Sequence, residues 1–308
     1  MTEHVPVLFE AALAALDIRT DGCYLDATFG RGGHAQGILR RLGAGGRLLA
    51  MDKDPAAEQA ARALMAREPR LHFRRGSFAA MEPFLREQGV WGALDGVLMD
   101  LGVSSPQLDT PERGFSFNRE GPLDMRMDPT TGRSAADWLA EADEGEIADV
   151  IRRFGEERHA RRIARRIVAA RAETPVRTTQ RLAEIVRAAV PGREPGKDPA
   201  TRTFQAIRIF INDELQDLQL GLEKALQALG THGRLAVISF HSLEDRIVKR
   251  FLREQSRADH APRKLPVMVA ESTARLRLVG KPVRPAAEEV AANPRARSAV
   301  LRVAEKIR

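Results

Sequence analysis

Four short apolar runs punctuate the first hundred residues, and after each comes a longer stretch in which apolar residues recur every three or four positions. The runs Cys23–Ala27, Arg47–Met51, Leu71–Arg74 and Ala93–Met99 predict strands, and Ala35–Leu42, Ala56–Arg67 and Ala79–Gln88 predict helices. Such alternation predicts a doubly wound α/β sheet, since a helix crosses over between each pair of parallel strands. From about Thr110 to Thr201 the alternation stops. Ala135–Leu139, Glu144–Phe154, Glu156–Ala172 and Thr179–Ala189 predict helices instead, punctuated by Gly121-Pro122 and by Pro191-Gly192 through Pro195-Gly196. Alternation returns with a helix over 203–229, a strand over Arg234–Phe240, and a helix opened by an S-x-x-D capping box at Ser242–Asp245. Strands near Arg275–Val279 and Ala299–Ala304 would complete the sheet, with loops at Pro262–Pro266 and Pro282–Pro294. The expected organisation is one α/β domain, residues 1–109 and 203–308, interrupted by an all-helical domain over 110–202.

Composition narrows this picture. A chain of 308 residues, 43% of them hydrophobic, can bury two cores. Its single cysteine, Cys23, leaves no internal disulfide and no cysteine cluster for zinc, so no metal is expected and a reducing compartment is. No basic region precedes an apolar stretch near Glu3 and His4, and no uncharged apolar run approaches the ~18 residues of a membrane span. The expectation is a cytoplasmic protein with no membrane partner.

Charge is modest in sum, +7, but unevenly placed. Arg152 to Arg187 holds eleven Arg against four Glu, and Arg246 to Arg308 holds sixteen Lys or Arg against six acids. The remainder is acidic. Segregation of this kind points to a polyanionic partner, because each neutralised phosphate releases condensed counterions.

The first predicted strand runs into Asp26-Ala27-Thr28-Phe29-Gly30-Arg31-Gly32-Gly33-His34 ahead of a helix. Glycines 30, 32 and 33 permit positive φ and a close approach of backbone to ligand. Asp52, at the end of the second strand, stands where a carboxylate accepts hydrogen bonds from ribose hydroxyls. The pattern Gly30, Gly32, Ala35 also satisfies the dinucleotide fingerprint, so NAD stays open on these residues alone. Asp26 weighs against it, being placed to repel a pyrophosphate and to pair with a cationic aminoacid–sulfonium. A second elaborate loop, Met99 to Gln107, ends the fourth strand and favours a methyl donor over a hydride donor.

These segments together resemble a known family. DATFGRGGH at 26–34, AMDKDP at 50–55, GSF at 76–78, DLGVSSPQLD at 100–109, RGFSF at 113–117, GPLDMRMDP at 121–129, FGEER at 154–158, ATRTFQAIRI at 200–209, SFHSLEDRIVK at 239–249 and NPRARS at 293–298 resemble the bacterial RsmH (MraW) family. The resemblance runs in order along almost the whole chain and is weakest over 256–275. It implies a Rossmann-like class I methyltransferase sheet with an inserted helical domain, and S-adenosylmethionine as cofactor. It also implies N4-methylation of a cytidine in the decoding region of 16S ribosomal RNA, free or in a small-subunit particle. By motif, Gly32, Gly33 and His34 resemble the loop that contacts the cofactor, Asp52 its ribose acid, and Phe78 the residue lining the adenine. Asp100 and Gln107 resemble the remaining cofactor contacts.

The chemistry constrains the rest. Cytosine N4 has a delocalised lone pair, so an acceptor must draw on the amine before it attacks a methyl group. Asp100 is expected to orient cofactor and accept from that amine, and His241 to take the proton or contact a phosphate. The fourth-strand motif lacks the proline pair and aromatic of the familiar D-P-P-Y form, which leaves Phe115, Phe117, Trp138 and Phe240 as candidate stacking partners. Methylation at cytosine C5 would need a thiolate. The only thiol, Cys23, lies away from the target loop and reads as a small core residue. For RNA, Arg158, Arg162 and Arg165 are expected on one face of a helix over 156–172, with Arg161 and Arg166, opposite an apolar face of Ile163 and Ile167. Two other classes stay open on the sequence, a nicotinamide oxidoreductase and a non-catalytic RNA-binding assembly factor, as does a homodimer.

Overall fold

The computed structural model describes residues 6–192, 198–257 and 274–308. Glu3, His4, Pro195-Gly196 and the Pro262–Pro266 loop lie outside the described residues. The chain packs as two compact units, Met1–Gly102 with Gln216–Arg308, and Val103–Leu215.

The first unit is a seven-stranded sheet. Its strands are β1 (Cys23–Asp26), β2 (Arg47–Asp52), β3 (Leu71–Arg75), β4 (Leu94–Asp100), β5 (Leu229–Ser239), β6 (Leu276–Leu278) and β7 (Val300–Lys306). Their order is β3-β2-β1-β4-β5-β7-β6, parallel through β5, with β7 antiparallel to both of its neighbours. Near-continuous apolar runs form the central strands because both faces are covered: Leu48 to Met51 and Val97 to Met99 are fully buried. The covering helices are α1 (Phe9–Leu16), α2 (Gly33–Arg41), α3 (Pro55–Met65) and α4 (Met81–Glu87). Asp54 starts α3 by accepting from the Ala56 N–H at 2.9 Å, with Pro55 in the first turn, where its missing N–H costs nothing.

The second unit is helical: α5 (Ser105–Asp109), α6 (Ala135–Glu141), α7 (Glu144–Gly155), α8 (Ala160–Glu173), α9 (Thr179–Ala189) and α10 (Ala200–Ile211). Trp138, Ile151, Ile163, Ile167, Leu182 and Ile207 make its core. The Trp138 indole N–H is satisfied by Glu146 Oε1 at 2.7 Å.

Three local expectations are corrected. The helix expected from Glu156 starts at Ala160, because Glu156 takes a left-handed φ of 50° as it ends α7 and Glu157 turns inward to accept from the His159 N–H. Arg158 therefore stands in the preceding turn, off the helix. The single helix expected over 203–229 is two, α10 and α11 (Glu214–Ala228), broken at Asp213, whose φ is 52°. The break is held by Asn212, which donates to the Met125 carbonyl at 2.7 Å and accepts from the Met127 N–H at 2.6 Å. Finally, α12 (Ser242–Gln255) is capped by His241, one residue before the expected Ser242. The last helix is α13 (Ala287–Ala292). Among the described residues, no helix is long and apolar enough to cross a membrane.

Candidate functional site

Register brings three carboxylates to one edge of the sheet. Asp26 pairs with Ala50 on β2 and with Leu98 on β4, so Asp52 and Asp100 each stand two residues beyond it on the flanking strands. This edge is the carboxyl end of the parallel strands. It is also where strand order reverses at β1, the place at which open α/β sheets bind ligands.

The turn from β1 into α2 is shaped by glycine. Gly30 and Gly32 hold φ of 55° and 77°, a region costly for a side chain. A Cβ on Gly32 would meet the Phe29 ring at 2.7 Å, and one on Gly33 would meet Pro6 Cγ at 2.3 Å. Gly33 is thus accounted for by the packing of the N-terminal segment. Asp52 grips the turn by accepting from the Gly30 N–H at 2.7 Å through one oxygen and from the Asp54 N–H at 2.9 Å through the other. The Lys53 N–H also helps hold the charged form, and a carboxylate with about four acceptor sites has capacity left for a ligand hydroxyl. Burial pushes the Asp52 carboxyl up to about 6, against the pull of these N–H donors.

Asp26 is almost fully buried. Its Oδ1 accepts from the Thr28 N–H at 3.2 Å, while Oδ2 has no hydrogen-bond partner. Burial, with Asp52 nearby, pushes it up to about 7. Asp100 has one oxygen, Oδ1, buried without a partner, and its backbone N–H donates to Thr28 Oγ1 at 2.6 Å. Burial first, then the charges of Asp26 and Glu244, hold its carboxyl well above the usual range. Such unpartnered carboxylate oxygens are costly in an interior unless a cation or donor arrives. They fit an ammonium or sulfonium and disfavour a pyrophosphate.

His34, in the first turn of α2, stacks on Phe9 with centroids 5.9 Å apart and lies 3.6 Å from Asp100 Oδ2 through Nδ1. Burial pushes its imidazole down to about 4, partly offset by the Val7 carbonyl, so it is neutral near pH 7. Its Nε2 has no hydrogen-bond partner. Phe78 opens a short turn, Phe78–Ala80, that Ser77 caps by accepting from the Ala79 N–H. The Ser77 hydroxyl donates to Asp217 on α11 at 2.6 Å, and Lys53 reaches the same oxygen at 2.5 Å. The Phe78 ring lies over Gly221, where a Cβ would come within 2.4 Å. Sequence reasoning missed Lys53, Ser77 and Asp217, since nothing local ties residues 140 positions apart.

His241 sits past β5. Its Nδ1 accepts from the Glu244 N–H at 3.4 Å, and the Glu244 carboxylate accepts from the Phe240 and His241 N–H groups at 2.8 and 3.2 Å. Nδ1 is committed to the cap. Only Nε2 could exchange a proton; it lies 3.2 Å from Glu244 Oε1 without hydrogen-bond geometry. Gln107 belongs to the second unit, where it is buried and accepts from the Ser104 N–H at 2.8 Å in the box that caps α5. Arg162 and Arg165 are exposed on α8 beside Arg161 and Arg166, and Arg158 is exposed in the turn before it. Of the candidate stacking residues, Phe115 and Trp138 are buried, and Phe117 packs edge-on to Phe204 at 4.9 Å. Phe240 is half-buried.

Comparison with known proteins bears on this site. The model described as the MraW methylase family matches residues 1–307. Proteins named ribosomal RNA small subunit methyltransferase H are similar throughout. That of Thioalkalivibrio sulfidiphilus is 58% identical over 305 residues, covering 99% of this chain and 97% of its own. That of Pseudoalteromonas atlantica is 56% identical over 306 residues, covering 99% and 98%. Among solved structures, an rRNA methylase from Streptococcus thermophilus aligns over 100% of this chain and 99% of its own, at 10% identity and a TM-score of 0.45.

Proposed function

The chain belongs to the MraW methylase family, and on that footing we propose that it transfers a methyl group from S-adenosylmethionine to N4 of a cytidine in small-subunit 16S ribosomal RNA, in the cytoplasm. The observation that carries the reading is the pair of buried, unpartnered oxygens on Asp26 and Asp100 at the switch point of the sheet. When bound, S-adenosylmethionine supplies an electrophilic methyl group. Asp26 would pair with its cationic aminoacid end, beside the turn whose positive φ at Gly30 and Gly32 shapes the site. Asp52 accepts from the ribose hydroxyls with the lone pairs its backbone donors leave free. Phe78 is steadied by the Ser77–Asp217–Lys53 contacts to border the adenine.

Asp100 does the work at the target. Its carboxylate accepts from the N4 amine, localising the lone pair for in-line attack, and then holds the proton that the methylated nitrogen sheds. A carboxyl that burial holds above its usual range suits that second task, because it keeps an accepted proton more firmly than a solvated carboxylate does. Positioning and exclusion of water supply the rest. His34 stays neutral beside Asp100 and leaves its charge uncompensated, so that the cationic donor provides the balance.

RNA binding is assigned to the exposed arginines Arg158, Arg162 and Arg165, supported by Arg161 and Arg166. On α8 the pairs 161/165 and 162/166 are like-charged at i, i+4, a destabilising arrangement that a phosphate backbone relieves. Calorimetric titration tests the cofactor half of the reading. S-adenosylmethionine and S-adenosylhomocysteine should bind and NAD should not; the reverse order would return the chain to the oxidoreductases.

A further inference from the structure

The first unit carries a basic stripe of its own. On α12 the residues Arg246, Lys249, Arg250 and Arg253 are all exposed and fall at i, i+3, i+4 and i+7, one face of the helix. The acids of that helix point elsewhere. Glu244 is buried in the cap, and Asp245 is held in a two-pronged pair by Arg302 of β7 at 2.7 and 3.0 Å. Glu254 alone stays exposed on the stripe, 3.8 Å from Arg250.

This arrangement repeats that of α8 and differs from that of α3 and α4. On α3 and α4 exposed arginines sit four residues from an acid, Arg62 with Glu58 at 2.6 Å and Arg86 with Glu82 at 2.8 Å. On α12 the neighbours 246/249, 246/250, 249/253 and 250/253 are like-charged and repel one another along the helix surface. Packing of Leu243, Val248, Phe251 and Leu252 holds it in place regardless. Arg284 extends the basic surface: Val283 bridges to Leu301, and both Arg284 and Lys249 help hold the Asp245 carboxyl below its usual range, after Arg302.

Location gives the stripe its meaning. Ile238 of β5 is in register with Asp100, and the Leu101 N–H donates to the Ile238 carbonyl at 2.9 Å. The helix therefore begins a few residues from the carboxylate edge, within the same unit. We propose that Arg246, Lys249, Arg250 and Arg253, with Arg284, form a second track for the RNA phosphodiester backbone, gripping the strand that flanks the target nucleotide. This rests on the reading of the chain as an RNA methyltransferase. Spacing of one to two helical turns suits successive phosphates, and guanidinium groups bond them two at a time.

The test replaces Arg246, Lys249 and Arg253 with Gln in the full chain, against a control of equal charge change, Arg62→Gln with Arg67→Gln and Arg86→Gln. Binding to a small-subunit RNA fragment is measured across salt concentrations, with S-adenosylhomocysteine affinity by calorimetry as the check on folding. The α12 variant should lose about tenfold or more in RNA affinity at low salt, and its log K against log salt slope should flatten by roughly 2. The control should keep the wild-type slope, and both should bind the nucleoside ligand as wild type does. An α12 variant indistinguishable from the control overturns the proposal, as does loss of binding to anionic lipid vesicles with RNA affinity untouched. Wild-type protein that binds RNA but transfers no methyl group to it would instead count against the functional reading and leave the stripe standing.

Discussion

Asp26 sets stability against ligand binding. Its carboxyl is raised from 3.8 to about 7 chiefly by burial, so the folded chain keeps a proton that the unfolded chain has lost over that window. Stability associated with the neutral acid is complete below about pH 4 and is lost as pH rises through 7. Asp26→Asn should therefore stabilise the ligand-free protein at pH 8 by about 1–4 kcal/mol in urea unfolding, and leave it level with wild type at pH 4. The same variant should bind S-adenosylhomocysteine more weakly at pH 8, because the ammonium loses its anionic partner. Equal stability at pH 8, or undiminished affinity, would remove Asp26 from the cation site. Cys23 makes the opposite case: burial pushes its thiol up to about 11, leaving almost no thiolate near pH 7. Cys23→Ala should retain methyl transfer, and a folded, ligand-binding variant with none would restore a thiol mechanism.

Helix contacts inside the second unit give sharper mechanical tests. Gly155 ends α7 against α10, where a Cβ would come within 2.6 Å of the Arg202 carbonyl oxygen. A backbone atom cannot step aside as a side chain can. Gly155→Ala should cost about 1–3 kcal/mol in the unfolding of the helical unit, and a variant as stable as wild type would show that the crossing relaxes freely. For α8, replacing Arg158, Arg162 and Arg165 with Gln should flatten the salt slope of RNA binding by roughly 2–3 without altering nucleoside affinity. Arg158 stands off the helix, so the double variant of Arg162 and Arg165 should carry most of the loss. An unaltered slope would make this face solvated surface only.

Across the molecule, what sequence revealed was what neighbours in the chain decide. The glycine turn, the strand-end acids and the alternation of β1 to β4 with helices could be read because each depends on a few adjacent residues and on burial of both sheet faces. The break between α10 and α11 could not, since its sequence, Ile211-Asn212-Asp213-Glu214, has neither Gly nor Pro; Asn212 ends the helix by bonding a loop some 85 residues away. The Ser77–Asp217–Lys53 contacts were hidden for the same reason, and the inward turn of Glu157 displaced a helix start that periodicity alone put four residues early. Charge segregation pointed to a polyanion, and helical periodicity put Arg162 and Arg165 on one face, but Arg158 stands off that helix because of the turn at Glu156 and Glu157. In the proposed function these parts act together: the carboxylate edge of the sheet delivers a methyl group to a cytosine amine of ribosomal RNA. Its most direct test is to incubate the protein with labelled S-adenosylmethionine and small-subunit particles lacking the modification, digest the RNA to nucleosides, and identify the labelled product by mass. The account predicts label in N4-methylcytidine at one position of 16S RNA, abolished by Asp100→Asn; label in 5-methylcytidine, in a ribose, or in no RNA nucleoside would contradict it.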